Sequence, residues 1–147
     1  MFKNILLPTD GSELSAGAAR RAVEFAKEAG AKLTVFFAKP EYPVTYFGEG
    51  ALIDPTTPEK FAELANKQAH EILEATAQMA KDAGVACEVK SAVSDVPYEA
   101  IIQAADDNGC DLIFMASHGR KGISGLLLGS ETHKVLTHSK VPVLVYR

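Results

Sequence analysis

The alternation of two hydrophobic patterns along the chain constrains its fold more than any other feature. Continuous apolar runs, which are typical of strands buried on both faces, alternate with apolar stripes at helical spacing. The first run covers residues 5–7, and the first stripe extends from Leu14 to Ala29 and ends at Gly30. This alternation is typical of the α/β class, in which helices cover both faces of a parallel sheet. The sequence therefore predicts an open parallel sheet with helices on both faces.

The middle of the chain continues this alternation. A second apolar run at residues 33–38 predicts a buried strand, whereas residues 39–58 contain four prolines and no usable period, which predicts a loop. We interpret this loop as a crossover connection, with a lid or a partner surface as the alternative. A long amphipathic helix over residues 61–83 leads to a third strand at residues 85–93, where apolar and polar residues alternate. That strand is predicted to lie at an edge of the sheet.

The last third of the chain supplies two more strands, for a total of five. Pro97 opens a short helix, which Gly109 ends before an apolar strand at residues 111–116. This strand and the first are the most uniformly apolar, so we expect both at the centre of the sheet, with a ligand crevice between their C-terminal ends. The final strand, from Val141 to Tyr146, is apolar on both faces. It is predicted to pair with a second copy of the chain in a symmetric homodimer.

The composition excludes several classes of protein. With 147 residues, 47% of them hydrophobic and 23% charged, the chain is expected to form one folded domain, residues 1–147. The net charge of −4 argues against binding to nucleic acids or membrane surfaces. No apolar run approaches the roughly 18 residues of a membrane-spanning helix, and no secretory signal is visible, so we expect a cytoplasmic protein. Cys87 and Cys110 lack the spacing of a metal or redox motif and are predicted to be buried thiols.

A glycine-rich segment precedes the last predicted helix. Four of the eleven residues at 119–129 are glycine. Glycine lets a ligand approach main-chain N–H groups closely, and Ser130 stands where it would cap the following helix. Over residues 117–140 there are four basic residues and one acidic residue, although the whole chain is acidic. These features predict an anion site at the crevice.

The segment does not match the widespread phosphate and hydrolase motifs. The chain contains no G-x-x-x-x-G-K-[ST] sequence and no G-x-G-x-x-G sequence after its first strand. Ser117 is not a nucleophile elbow, because Met115 stands where G-x-S-x-G requires its first glycine. These absences exclude the P-loop, the dinucleotide fingerprint and the α/β-hydrolase signature.

Three segments together carry a more specific resemblance. The spacing G-x2-G-x9-G-[ST] occurs with alanine at its first position, at Ala116, Gly119, Gly129 and Ser130. The segment ILLPTDGS at residues 5–12 and the segment SKVPVLV at residues 139–145 lie before and after this motif. The motif and both segments match one known family in sequence and in their separations along the chain. By these segments the chain resembles the universal stress proteins of the UspA superfamily, in the branch that binds ATP, over essentially its whole length.

The resemblance implies a fold and a set of candidate residues. The fold is the Rossmann-like arrangement of the adenine nucleotide alpha hydrolases, with five strands in the order 3-2-1-4-5. The candidate nucleotide-binding residues are those at the matching positions and beside them: Pro8, Thr9, Asp10, Ala38, Met115, Ala116, Ser117, His118, Gly119, Arg120, Gly122, Gly129, Ser130 and Glu131.

The resemblance also implies which part of the nucleotide each of these residues would contact. Adenine is expected against Pro8, Thr9 and Ala38, at the ends of the first two strands. Asp10 would face the ribose or a magnesium ion. The motif glycines and Ser130 would hold the phosphates. This implied site coincides with the crevice predicted from the apolar strands.

Several candidates also suit roles that need no ligand. Alanine at position 116 is strained if the motif glycine requires a positive φ and is tolerated if the glycine only provides room, which is the interpretation we favour. Asp10 also suits the cap of the first helix, and an isolated loop histidine such as His118 is more often solvated than bound to a ligand. Arg120 and Lys121 fit either phosphate screening or an ordinary charged surface.

The expected function is that of a homodimer that binds ATP, or AMP or ADP, and acts as a regulator or sensor in stress response. No arginine-finger pattern and no carboxylate pair at fixed spacing supports rapid phosphoryl transfer. Two alternatives stay open. One is slow ATP hydrolysis or autophosphorylation, with Asp10 placing Mg²⁺ or water. The other is a protein-interaction module of the same fold that has lost its nucleotide.

Overall fold

A five-stranded parallel sheet organises the molecule. The computed structural model describes residues 1–47, 50–53, 57–118 and 128–147. Its helices and strands, in chain order, are β1 (Asn4–Pro8), α1 (Glu13–Ala29), β2 (Lys32–Lys39), β3 (Val44–Phe47), β4 (Gly50–Ile53), α2 (Pro58–Asp82), β5 (Cys87–Val93), α3 (Pro97–Asp107), β6 (Leu112–Ala116), α4 (Ser130–His138) and β7 (Val143–Tyr146). The large sheet has the order β5-β2-β1-β6-β7, and every neighbouring pair is parallel. When only the five strands of this sheet are counted along the chain, the order is 3-2-1-4-5, and the prediction is confirmed.

The central strands bury alternate residues in two cores. Ile5 and Leu7 of β1 face the core beneath α1 and α2, whereas Leu6 faces the core beneath α3 and α4. All three side chains have no exposed surface. Every residue of β6 is buried as well. A strand buried on both faces needs a continuous apolar sequence, and for this reason the sequence predicted β1 and β6 as central.

Capping residues set the ends of the long helices. The side chain of Ser12 caps α1 by accepting a hydrogen bond from Ser15 N. The side chain of Thr57 caps α2, which begins at Pro58, by accepting from Lys60 N. Gly30 ends α1 in the left-handed conformation, with φ of 66°, as predicted for a helix-terminating glycine. In the described ranges, no helix combines the length and the apolar character needed to cross a membrane.

The prediction of a loop over residues 39–58 is wrong in its centre. Strands β3 and β4 form an antiparallel hairpin there, with Val44 opposite Ile53 and Phe47 opposite Gly50. The prolines that suggested a loop lie outside both strands, at positions 40, 43, 55 and 58. The valine, threonine, tyrosine and phenylalanine of residues 44–47 have high strand propensity, and four residues are too few to show a clear period.

The two edge strands of the large sheet differ in character. β5 is mostly exposed, and it carries Glu88 in register with Thr34 and Lys90 in register with Phe36. Its position confirms the predicted edge strand, although it begins at Cys87 rather than at residue 85. β7, at the other edge, is apolar and half-buried throughout. Charged residues on an edge strand discourage pairing with another chain. Pairing is therefore favoured at β7 rather than at β5.

The two thiols are free but differ in burial. Cys110 is buried, as predicted, whereas Cys87 is only half-buried because it lies on the edge strand. Burial raises the pKa of both thiols above the usual value of a cysteine, and Glu74 and Glu88 raise the pKa of Cys87 further. Neither environment favours a reactive thiolate.

Candidate functional site

A cavity of about 440 Å³ opens at the C-terminal ends of β1, β2 and β6. Its volume lies within the range of small-molecule sites, and its position is the switch point where ligands bind in open α/β sheets. Sixteen described residues line it: Pro8, Thr9, Asp10, Ser15, Phe36, Phe37, Ala38, Asp95, Pro97, Ile101, Met115, Ala116, His118, Gly129, Ser130 and Glu131.

Most of the predicted site residues meet in this cavity. Ten of the fourteen candidates line it, and Ser117 is buried directly beside it. Gly119, Arg120 and Gly122 lie outside the described residues. Six lining residues were not predicted: Ser15, Phe36, Phe37, Asp95, Pro97 and Ile101. The rule that ligands bind beyond the carboxyl ends of parallel strands points to Phe36, Phe37 and Asp95, but no pattern in the sequence indicates Ser15.

The carboxylate of Asp10 is held in place by the start of α1. Asp10 Oδ1 accepts hydrogen bonds from Ser12 N at 2.9 Å and from Ser15 Oγ at 2.7 Å. Ser15 is 5% exposed, so its hydroxyl offers a rigid contact. Asp10 is therefore not the cap of α1, which is Ser12. Asp10 instead lines the cavity, just after the end of β1.

The N-terminus of α4 forms one wall of the cavity. Gly129, rather than Ser130, is the N-cap, so the predicted cap was wrong by one residue. Gly129 has φ of −60° and ψ of 150°, and its carbonyl accepts from His133 N at 2.9 Å, which is the first bond of the helix. Glycine supplies no side-chain acceptor for the free N–H groups of the first turn. These groups and the positive end of the helix dipole can therefore bind an anion.

Hydrogen bonds fasten α4 to the end of β6. Gly129 N donates to Ser117 O at 2.8 Å, and Thr132 Oγ1 donates to Ala116 O at 3.0 Å. Thr132 and Ala116 are both buried. The first turn of the helix is thus held at a defined position relative to the central strands, which favours a preorganised ligand site.

Alanine fits at position 116 without backbone strain. Ala116 belongs to β6, and no described residue other than glycine has a positive φ. The motif glycine is therefore not needed there for its conformational freedom. The methyl group adds one carbon to the cavity wall and also packs in the core beneath α1 and α2.

His118 is buried, so the interpretation of a solvated loop histidine is wrong. It is 8% exposed, and its Nδ1 lies 3.0 Å from Ser117 Oγ, which is itself buried. Which of the two atoms donates depends on the imidazole tautomer. The ring forms part of the cavity wall near α4.

Glu131 joins α4 to α3. Its Oε2 accepts from Tyr98 N at 2.9 Å, in the first turn of α3, and its Oε1 lies 3.6 Å from Lys134 Nζ. The N-cap of α3, Val96, provides no side-chain hydrogen bond, so Glu131 supplies the missing acceptor from another helix. Both its oxygens have protein partners, which makes Glu131 a stabiliser of the cavity wall.

A metal ion at Asp10 would need ligands from a bound molecule. Within residues 1–47, 50–53, 57–118 and 128–147, no group of three or more His, Cys, Asp or Glu side chains is placed to hold a metal ion. Magnesium is typically bound by one or two carboxylates together with phosphate oxygens. Asp10 fits that pattern when a phosphate lies in the cavity.

Comparison with known proteins decides the family. The family model for universal stress proteins matches residues 1–147. The chain belongs to the universal stress protein family. Universal stress protein YxiE of Bacillus subtilis is 35% identical over 151 residues, with full coverage of both chains. Universal stress protein MJ0531 of Methanocaldococcus jannaschii is 32% identical over all of this chain and 83% of its own length.

A solved structure supports the same assignment. A universal stress protein crystallised in complex with cAMP is 28% identical to this chain, with a TM-score of 0.71 over 99% of this chain and 97% of the other. The fold and the family expected from the three sequence segments are thereby confirmed.

Proposed function

We propose that the cavity binds an adenine nucleotide, with ATP as the principal ligand. The observation that carries the proposal is the N-terminus of α4, where an N-cap without a side-chain acceptor opens onto the cavity. Free main-chain N–H groups at such a position bind phosphate groups well. The phosphates would accordingly lie against Gly129 and Ser130.

The remaining walls suit the rest of a nucleotide. Pro8, Phe36 and Ala38 present an apolar surface at the ends of β1 and β2, which is suited to a base. Asp10 also lines the cavity, and its carboxylate suits the ribose hydroxyls or a magnesium ion bound to the phosphates. The cAMP complex of a family member with 28% identity supports an adenine nucleotide over other anions.

We further propose that the protein is a homodimer that pairs through β7. β7 is an edge strand with no strand pairing on its outer side among the described residues, and its four residues are apolar and half-buried. Symmetric pairing with a second β7 would satisfy the main-chain groups and cover the apolar side chains. A dimer that binds a nucleotide at a preorganised site suits a regulator or sensor in the stress response, as expected for this family.

The decisive experiment measures ATP affinity by calorimetry in the native protein and in Gly129→Val. A side chain at position 129 would occupy the phosphate position. With φ of −60° the backbone accepts valine, so the loss would arise from lost space. Two charge-assisted hydrogen bonds of about 1.5–3 kcal/mol each predict a loss of about 100-fold or more.

Gly17→Val on α1 is the matched control. A Cβ at Gly17 meets only Arg20 Nη2 at 4.0 Å, so the substitution is expected to leave both fold and affinity unchanged. Equal ATP affinity in Gly129→Val and in the native protein would contradict the proposed phosphate site. The absence of any adenine nucleotide binding by the native protein would reject the function itself.

A further inference from the structure

Asp95 occupies a defined place in the cavity wall, beside the chain that leaves β2. It belongs to the loop between β5 and α3, and two hydrogen bonds hold this loop to the chain that follows β2. Ser94 N donates to Lys39 O at 2.8 Å, and Glu41 N donates to Asp95 Oδ1 at 3.0 Å. One carboxylate oxygen is thus engaged by the main chain, which fixes the side chain at the mouth of the cavity.

The surroundings of Asp95 make its carboxylate chemically distinctive. Among the described residues that β2, α3 and the loop before α3 contribute to the cavity, Asp95 is the only one with a polar side chain. The others are Phe36, Phe37, Ala38, Pro97 and Ile101. A ligand group beside Asp95 therefore meets apolar walls and one anionic hydrogen-bond acceptor. In such sites the few polar groups determine specificity.

The sheet order determines which part of a nucleotide lies there. β2 is separated from β6 by β1, which places its end two strand spacings, about 10 Å, from the end of β6. α4 follows β6 and supplies the anion-binding helix terminus. A nucleotide with its phosphates at α4 therefore extends its base toward β2 and the loop that carries Asp95.

We propose that Asp95 is a specificity-determining residue that reads the base through its exocyclic amino group. An ionised carboxylate only accepts hydrogen bonds, so it favours the 6-amino group of adenine and disfavours the 6-carbonyl of hypoxanthine or guanine. The proposal rests on the proposed adenine nucleotide site, and it adds that a side chain contributes to the choice of base.

The test compares two nucleotides that differ at this position of the base. ATP carries a 6-amino group and ITP a 6-carbonyl, and both carry the same ribose and triphosphate. A hydrogen bond to a charged group is stronger than one to a neutral group, but exposure of Asp95 to solvent weakens it, so we expect the native protein to bind ATP about 10-fold more tightly than ITP.

Asp95→Asn is the informative variant. Its amide oxygen can still accept from Glu41 N, whereas its NH₂ group can rotate to donate to a carbonyl. We expect the ATP preference to fall to within about threefold. Asp107→Asn, which removes the same charge from α3 outside this cavity, is expected to keep the native preference.

Each outcome of the titrations has a distinct meaning. If the native protein binds neither nucleotide, the proposed function fails and base selection by Asp95 fails with it. If ATP binds but the ATP-to-ITP ratio is the same in native protein and Asp95→Asn, only base selection is overturned. A variant that changes the preference for ATP over 2′-deoxyATP, with an unchanged ATP-to-ITP ratio, would place the carboxylate at the sugar and overturn it as well.

Discussion

Two threonines on α4 allow a matched test of how the helix is docked to the sheet. Thr132 Oγ1 donates to Ala116 O at 3.0 Å, and Thr132 is 3% exposed. Thr137 Oγ1 donates to His133 O at 2.9 Å, but it lies on the exposed side of the same helix. Valine has nearly the shape of threonine, so each Thr→Val substitution removes one hydroxyl and keeps the branched side chain.

The structure predicts different free-energy changes for the two variants. In Thr132→Val, the carbonyl of Ala116 loses a buried hydrogen-bond partner, which costs about 1–2 kcal/mol of the free energy of unfolding. For a chain of this length, the melting temperature should fall by about 3–6 °C. In Thr137→Val, water replaces the lost hydroxyl, so the free energy of unfolding should change by no more than about 0.5 kcal/mol.

Urea unfolding followed by circular dichroism measures both changes, and thermal melts give an independent value. An unchanged urea m-value would confirm that only stability differs. Equal destabilisation by the two substitutions, or a loss below about 0.5 kcal/mol in Thr132→Val, would refute the idea that this buried hydroxyl fastens α4 to β6.

Two further predictions concern the sheet edges and the thiols. Val143→Lys should weaken self-association at least about tenfold, because symmetric pairing would bring two lysines together. Val93→Lys, on the opposite edge of the sheet, should leave self-association unchanged. An intact Val143→Lys dimer in sedimentation would reject pairing through β7. Since burial raises the pKa of Cys110, native stability should fall as the pH rises above about 9, when the unfolded thiol ionises first. Iodoacetamide at pH 8.5 should accordingly modify Cys110 much faster in urea than in the native protein, and equal rates would contradict its burial.

The sequence was most informative where one pattern controls one structural property. The uniform hydrophobicity of residues 5–7 and 112–116 predicted the central strands, because a strand buried on both faces excludes polar residues. The rule that ligands bind at the carboxyl ends of such strands then placed the cavity. The polar alternation at residues 85–93 predicted the edge strand for the converse reason.

Other features depend on contacts between distant residues or on backbone angles. Glu131 caps α3 across a separation of 33 residues, and no local pattern indicates that contact. Glycine and serine are both common N-cap residues, so the choice between Gly129 and Ser130 is decided by backbone angles that the sequence does not specify. The burial of His118 likewise depends on tertiary packing just after the end of β6, where its ring contacts the Ser117 hydroxyl.

One residue, Ser117, connects the edge strand β7 with the N-terminus of α4. Its N–H donates to Tyr146 O at 2.8 Å, and its carbonyl accepts from Gly129 N at 2.8 Å. All the atoms involved belong to the main chain, so this connection is independent of side-chain identity. Most substitutions at positions 117, 129 and 146 therefore keep both hydrogen bonds. Proline at position 117 or 129 lacks the N–H group and would break one of them.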